Sequence, residues 1–231
     1  MSIFAIADLH LSLGTSKPMD IFPGWDNYVS RVEENWRKIV NEDDTVVIAG
    51  DISWAMKLEE TKNDFDFLHS LPGKKLLLKG NHDYWWSTKA KINNYFKEND
   101  FYDMDIIHNS CFVVGDYAIC GTRGWMYNSV SDEDIKIVNR EAGRLKSSIQ
   151  EAIKLKKKPL VFLHYPPVYD NFACDILLSV MKEYGIDRCY FGHIHGKNAS
   201  QKIVTGDYDG IKMELIACDY QKFIPLLVEK A

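Results

Sequence analysis

Apolar positions along this chain follow two periods. Short continuous runs at Ile3–Ala7, Thr45–Ala49, Lys75–Leu78, Leu160–Leu163 and Cys189–Phe191 predict buried strands. Between them lie longer stretches with helical spacing. In Tyr28–Asn41, residues Val29, Val32, Trp36, Ile39 and Val40 share one face. Leu58–Leu71, Thr88–Lys97, Asp132–Lys157 and Cys174–Tyr184 have the same character; Pro72-Gly73 stops the first of these and Pro159 stops Asp132–Lys157. Ile106-Ile107, Cys111–Val114 and Tyr117–Cys120 predict short strands with turns at Asn109-Ser110 and Gly115-Asp116. A hairpin-like pair spans Gln201–Ile216 and turns at 207–210. Strand–helix alternation early and consecutive strands later imply an α/β protein with mixed sheets.

Three connections are long: Leu11–Asn27, Gly121–Ser131 and His164–Ala173. Loops of this length are often functional. The first carries Met19, Ile21, Phe22 and Trp25, which either wall a pocket or pack back onto the body. The basic run Lys154–Lys158 suits a helix C-terminus, where cations complement the dipole, better than a phosphate patch.

At 231 residues, 46% hydrophobic and 26% charged, the chain can build its own core, and a single domain over 1–231 is expected. The net charge of −5 argues against a nucleic-acid coat or an anionic-membrane binder. The first residues lack a basic segment and a long apolar run, and no window approaches the roughly 20 apolar residues that cross a bilayer. The five cysteines form no Cys-x-x-Cys pair. Reduced, buried thiols in a cytoplasmic protein are expected.

Each of the five strand-like runs ends in a side chain that can bind a metal. The first ends in Asp8-Leu9-His10, the second in Gly50-Asp51 and the third in Lys79-Gly80-Asn81-His82-Asp83. The last two end in His164 and in Gly192-His193-Ile194-His195; five of the seven histidines lie at these positions. Ligands of open α/β sheets bind at the carboxyl ends of strands, so the pattern delivers these groups to one edge. Imidazole suits Zn, Fe, Co, Ni and Mn, and carboxylate or amide oxygens suit harder ions, a mixture that fits a dinuclear site. In Asp8-x-His10 and His193-x-His195 a spacing of two places both side chains on one side of an extended backbone. Singly these motifs are weak. All five in order, each at a strand end, point to a metal site.

In these motifs the chain resembles the calcineurin-like metallophosphoesterases, over residues 8 to 195. The resemblance implies a four-layer α/β/β/α sandwich of two mixed sheets with two metals at one edge. It implies that Asp8, His10 and His195 hold one ion, that Asp51 bridges, and that Asn81, His164 and His193 hold the other. It implies phosphoester hydrolysis by a hydroxide shared between the ions, manganese being the first candidate and Fe, Zn, Co or Ni the others. His82 would protonate the leaving group as general acid, and Asp83 would orient His82. Two divalent ions, two carboxylates and one hydroxide leave a formal charge of about +1 to attract a phosphate.

Departures from the family's branches narrow the substrate. Gly50-Asp51 continues as Ile52-Ser53-Trp54 and the later motif ends in Asp83, unlike the phosphoprotein phosphatases. His82 stands where the branch acting on lipid A precursors has arginine. The acidic charge counts against a nuclease, which needs lysine and arginine along its groove. A small soluble phosphomonoester or phosphodiester is the expected substrate. A metal-binding scaffold on the same fold is the main alternative. Trp54 and Trp85 follow metal motifs and are candidates to stack on substrate, the other reading being that they pack between sheet and helices. Arg123, on a long loop after a strand, is a candidate phosphate binder, since its fork matches phosphate.

Overall fold

The computed structural model describes residues 1–125 and 131–230. The first half runs β1 (Ser2–Ile6), α1 (Tyr28–Ile39), β2 (Thr45–Ala49), α2 (Lys62–Ser70), β3 (Lys74–Leu78), α3 (Lys89–Glu98) and β4 (Met104–Ile106). Then follow β5 (Phe112–Val114), β6 (Tyr117–Thr122), α4 (Asp132–Lys154), β7 (Lys158–Leu163), β8 (Val168–Tyr169), β9 (Phe172–Ala173) and α5 (Asp175–Glu183). The chain continues through β10 (Arg188–Phe191), α6 (Lys197–Ser200), β11 (Gly206–Tyr208), β12 (Ile211–Leu215) and β13 (Leu226–Lys230).

Two mixed sheets result. One has the order β13-β1-β2-β3-β4, the other β11-β12-β10-β7-β6-β5. In the first, β1 to β4 are parallel and β13 returns antiparallel along β1. In the second, β12, β10, β7 and β6 are parallel, with antiparallel β11 and β5 at the edges. Because side chains alternate along a strand, each sheet has two faces to bury. Ile3, Ala5, Val47 and Leu76 of the first sheet meet Ile119, Leu160, Phe162 and Tyr190 of the second in one core. Phe4, Ile6, Val46 and Ile48 face the other way, onto Val32, Trp36, Phe65 and Ile92 of the helices. Cys120, Val161, Leu163 and Cys189 face Leu145, Ile149, Leu177 and Met181 of α4 and α5. The layers are therefore α/β/β/α, as the resemblance implied.

The sheets are joined where the site lies. The Ala7 N–H donates to the Ile216 carbonyl at 2.8 Å, and the Cys218 N–H donates to the Ala7 carbonyl at 2.9 Å. All the parallel strands present their carboxyl ends at this seam. The core helix α4 starts as its sequence dictates. Ser131 caps it by accepting from the Asp134 N–H, and Asp132, Glu133 and Asp134 fill its first turn.

Some predicted elements differ. Leu58–Leu71 divides into a 3-10 turn, Leu58–Thr61, and α2. The Asp132–Lys157 helix stops at Lys154, and the left-handed Lys156 turns the chain into β7. The strand β13 and the β8–β9 hairpin carried no periodic signal, two-residue strands being too short for one. Of the Gly121–Ser131 connection, residues 126–130 lie outside the described residues. Among the described residues no cysteine pairs; four are buried and Cys111 is half-buried. No helix among them is long and apolar enough to cross a membrane.

Candidate metal centre

The strand ends do converge. His10 and His195 point their Nε2 atoms at each other, 3.0 Å apart. The Asp51 carboxylate lies 3.7 Å from His10 Nε2 and 3.5 Å from His164 Nε2. Asp8 Oδ1 is 3.4 Å from His195 Nε2. Asn81 Oδ1 sits between His164 Nε2 at 2.7 Å and His193 Nδ1 at 2.8 Å. Ligand atoms of Asp8, His10, Asp51 and His195 form one cluster, and those of Asp51, His164 and His193 another, with Asp51 common to both. All seven metal-ligand candidates named from the sequence thus meet at one place.

The backbone is bent to achieve this. Asp8, His10, Asp51 and His193 all have positive φ, between 45° and 73°. This left-handed region is uncommon for residues other than glycine and costs free energy that surrounding contacts must offset. Close approach explains two of the glycines. A Cβ on Gly50, itself at φ 93°, would lie 2.5 Å from His164 Nδ1, and one on Gly80 would collide with the Asp51 carboxylate.

Asp83 is the anchor of these loops. Its buried carboxylate accepts from the backbone N–H groups of Asp51 at 2.9 Å, Ile52 at 2.9 Å, Ser53 at 3.3 Å and Gly80 at 2.7 Å. It also accepts from Trp85 Nε1 at 3.0 Å. Among the described residues those are its donors, and the His82 ring is not one of them. The expectation that Asp83 orients His82 is corrected: every oxygen lone pair it offers is taken up in tying the β2 loop to the β3 loop. Trp85 is corrected too. Its ring is 2% exposed and packs edge-on against Phe65, 5.2 Å between centroids, so it is core rather than substrate wall.

His82 is held otherwise. Its backbone N–H donates to Asp51 Oδ1 at 2.8 Å, and its ring lies 4.6 Å from that of Trp54 and 5.6 Å from that of His10. Trp54 stacks on His10 at 4.7 Å, so it walls the site as a ring of the site itself. Among the described residues neither His82 Nδ1 nor Trp54 Nε1, both buried, has a hydrogen-bond partner. Arg123 enters through its backbone: its carbonyl accepts from the N–H groups of His164 and Tyr165, while its guanidinium lies over the Trp125 ring at 4.6 Å.

Two contributors, Asp219 and Tyr165, escaped the sequence reading, and Trp25 was named there only as a loop residue. Asp219 lies 3.4 Å from His195 Nδ1 and accepts from the Gly196 N–H at 2.8 Å. It stands just after the apolar run Leu215–Cys218, a sixth strand end that the same rule would have flagged. Trp25 of the Leu11–Asn27 connection is buried, with its ring 5.8 Å from that of His195 and 5.3 Å from those of Tyr28 and Phe223, so it packs onto the body beside the site, whereas Ile21 and Phe22 remain exposed. Tyr165 places its ring 4.3 Å from that of His193.

The electrostatics fit a cation pair. Burial and the Asp83 and Asp8 carboxylates push Asp51 up to about 9. Burial lowers His195, but Asp8 and Asp219 outweigh it and raise the ring to about 10. Burial holds His164 and His193 down at about 3, and burial and His195 lower His10 well below the usual imidazole range. The cluster without ions therefore gathers three rings held neutral, His10, His164 and His193, an amide oxygen, and two groups that keep their protons, Asp51 and His195. Divalent ions would replace those protons and take up the facing lone pairs of the imidazole, amide and carboxylate groups.

Two sheets sandwiched between helices, with a mixed His/Asp/Asn cluster at their common carboxyl edge, define a metal-binding α/β phosphoesterase class. A family model for calcineurin-like phosphoesterases matches residues 1–197, and the chain belongs to that family. Among solved structures, the chain is similar to a phosphopantetheinyl hydrolase from Mycobacterium tuberculosis, at 15% identity and TM-score 0.53, over 98% of this chain and 96% of that one. It is similar to a protein of unknown function, AQ665 from Aquifex aeolicus, at 17% identity and TM-score 0.51, over 97% and 94%. It is similar to TT1561 of Thermus thermophilus at 13% identity and TM-score 0.54, over 84% and 82%. At these identities the likeness is one of fold. No curated protein matches the chain.

Proposed function

We propose that this chain is a single-domain, metal-dependent phosphoesterase that hydrolyses a small phosphomonoester or phosphodiester. Asp8, His10, Asp51 and His195 would hold one divalent ion, and Asp51, Asn81, His164 and His193 a second, with manganese the first candidate. The observation that carries this reading is Asn81 Oδ1 wedged between His164 and His193 while His10 and His195 face each other at 3.0 Å. Such ions supply positive charge to phosphoryl oxygens and acidify water.

The remaining work falls to this chain's own side chains. His82 lies beside the cluster with Nδ1 buried and without a partner among the described residues, and Nε2 would be the nitrogen that meets substrate. Burial, then His195, lowers its pKa in the protein without ions. An anionic phosphoryl group beside the ring favours the protonated form, and Nε2 then gives its proton to the leaving oxygen. Trp54 and Trp25 exclude water from one side of the rings. The reduced, mostly buried thiols fit work in the cytoplasm.

The test is metal analysis of the purified protein with hydrolysis of p-nitrophenyl phosphate and bis-p-nitrophenyl phosphate, before and after chelation. Turnover lost with chelator and restored by manganese is expected. His82→Ala should keep its metal and lose about 10²- to 10⁴-fold in turnover of esters with poor leaving groups. Two bound metals without hydrolysis of any ester would instead support the scaffold reading.

A further inference from the structure

A second feature lies between the ends of β3 and β6, where the two sheets meet. It is a cavity of about 490 Å³. Its walls come from both sheets: Leu78 and Lys79 at the end of β3, Gly121 to Arg123 at the end of β6, the start of α3, and Arg140, Glu141 and Arg144 from the middle of α4. Five cations line it, namely Lys79, Lys89, Arg123, Arg140 and Arg144, against one carboxylate, Glu141. Five minus one leaves a formal charge of +4 in a chain whose overall charge is −5.

That carboxylate is already committed. Glu141 is fully buried, accepts from Thr122 Oγ1, and takes Arg144 Nη1 at 2.6 Å. Both of its oxygens are engaged, one by Thr122 and one by Arg144. Among the described residues Lys79, Lys89 and Arg140 have no carboxylate within ion-pair distance, and the contact of Arg123 is the Trp125 face. Lys79, Lys89, Arg123 and Arg144 are half-buried. Cations gathered and partly desolvated in a concave site repel one another, and an anion relieves that repulsion. Two arginine forks and two ammonium groups suit the tetrahedral oxygens of phosphate. The volume falls within the range of small-molecule pockets and is far below that of a protein interface.

Two of its residues adjoin metal-ligand candidates along the chain or through the backbone. Lys79 precedes Gly80-Asn81, and the Arg123 carbonyl holds the His164 N–H at 3.1 Å. Lys79 and Arg123 thus join the cavity wall to the segments that carry Asn81 and His164. We infer that this cavity binds a second phosphoryl group of the substrate, so that the natural ester carries at least two phosphoryl groups. The inference rests on the phosphoesterase reading above and adds the substrate class.

Two measurements test it. The first is calorimetric titration of pyrophosphate into the chelator-treated full chain, which reads the cavity without the metals. Binding is expected, weakened at least tenfold in Lys89→Gln/Arg140→Gln and retained within about threefold in Arg140→Lys, with circular dichroism and melting confirming that each variant folds. No binding, or equal binding by the double variant, overturns the inference. The second compares glucose 6-phosphate with glucose 1,6-bisphosphate on the manganese-loaded enzyme. A kcat/KM at least tenfold higher for the bisphosphate, with that ratio collapsing in the double variant, is expected. Pyrophosphate binding without preference for the bisphosphate would mean that the cavity takes a free polyanion, and the substrate assignment would fall. Absence of any turnover of p-nitrophenyl phosphate would defeat the phosphoesterase reading instead, and the pyrophosphate titration would still decide whether the cavity is an anion site.

Discussion

Asp219 shows how a residue outside the metal cluster bears on it. Its carboxylate takes one ring nitrogen of His195 and thereby aims the other, Nε2, at His10 and Asp8. Partners of this kind set ring orientation and raise ligand basicity, and their loss typically costs 10- to 100-fold in metal affinity. Asp219→Ala should therefore weaken binding at the His10–His195 position by about that factor, read by competition with a chelator. Asp51→Asn should be harsher, because Asp51 belongs to both clusters. Loss of both metals by elemental analysis is expected, with activity falling together with occupancy. Retention of two metals by that variant would break the assignment of Asp51 as the shared ligand.

At the scale of elements, the site is a set of loops held at the ends of parallel strands. Asp83 ties the loop after β2 to the loop after β3 through the N–H groups of Asp51, Ile52 and Ser53, and holds Gly80 of its own loop as well. Removing one partner of a buried hydrogen-bonded set leaves donors without acceptors, at about 1–3 kcal/mol for each such group. Asp83→Ala should therefore destabilise the fold by at least about 3 kcal/mol in urea denaturation, and disorder the β2 and β3 loops. A change confined to turnover, with stability unaltered, would return Asp83 to the role of orienting His82. The motif Gly80-Asn81-His82-Asp83 named all four positions, yet sequence spacing could not say what Asp83 touches. Its partners come from the loop after β2, some 30 residues away.

At the scale of the whole molecule, the two sheets bring together ionisable groups that would not otherwise coexist. Without ions, Asp51 at about 9 and His195 at about 10 both hold protons at neutral pH, whereas His164 and His193 at about 3 do not. Ions bind the deprotonated forms, so loading at pH 7 must release protons. The sign follows: both groups are raised, so metal affinity should rise with pH between about 6 and 9. About two protons should be released per fully loaded site at pH 7, read by titration calorimetry in buffers of different ionisation enthalpy. Release of none would mean that the carboxylate and His195 are already ionised in the metal-free fold.

What the sequence determined by itself was local and periodic. The continuous apolar run Ile3–Ala7 and the helical spacing in Tyr28–Asn41 are properties of neighbouring residues, so the strands, the helices and the edge to which Asp8, Asp51, Asn81, His164 and His193 were delivered could be read directly. The left-handed turns, the burial of Trp85 under Phe65, the hold of Asp83 on the β2 loop and the partnership of Asp219 with His195 could not be read. The same is true of the five cations gathered from β3, β6, α3 and α4. Each depends on contacts between residues far apart in the chain. Such contacts exist only after two sheets have packed face to face, because burial and distance, unlike periodicity, are properties of the folded whole.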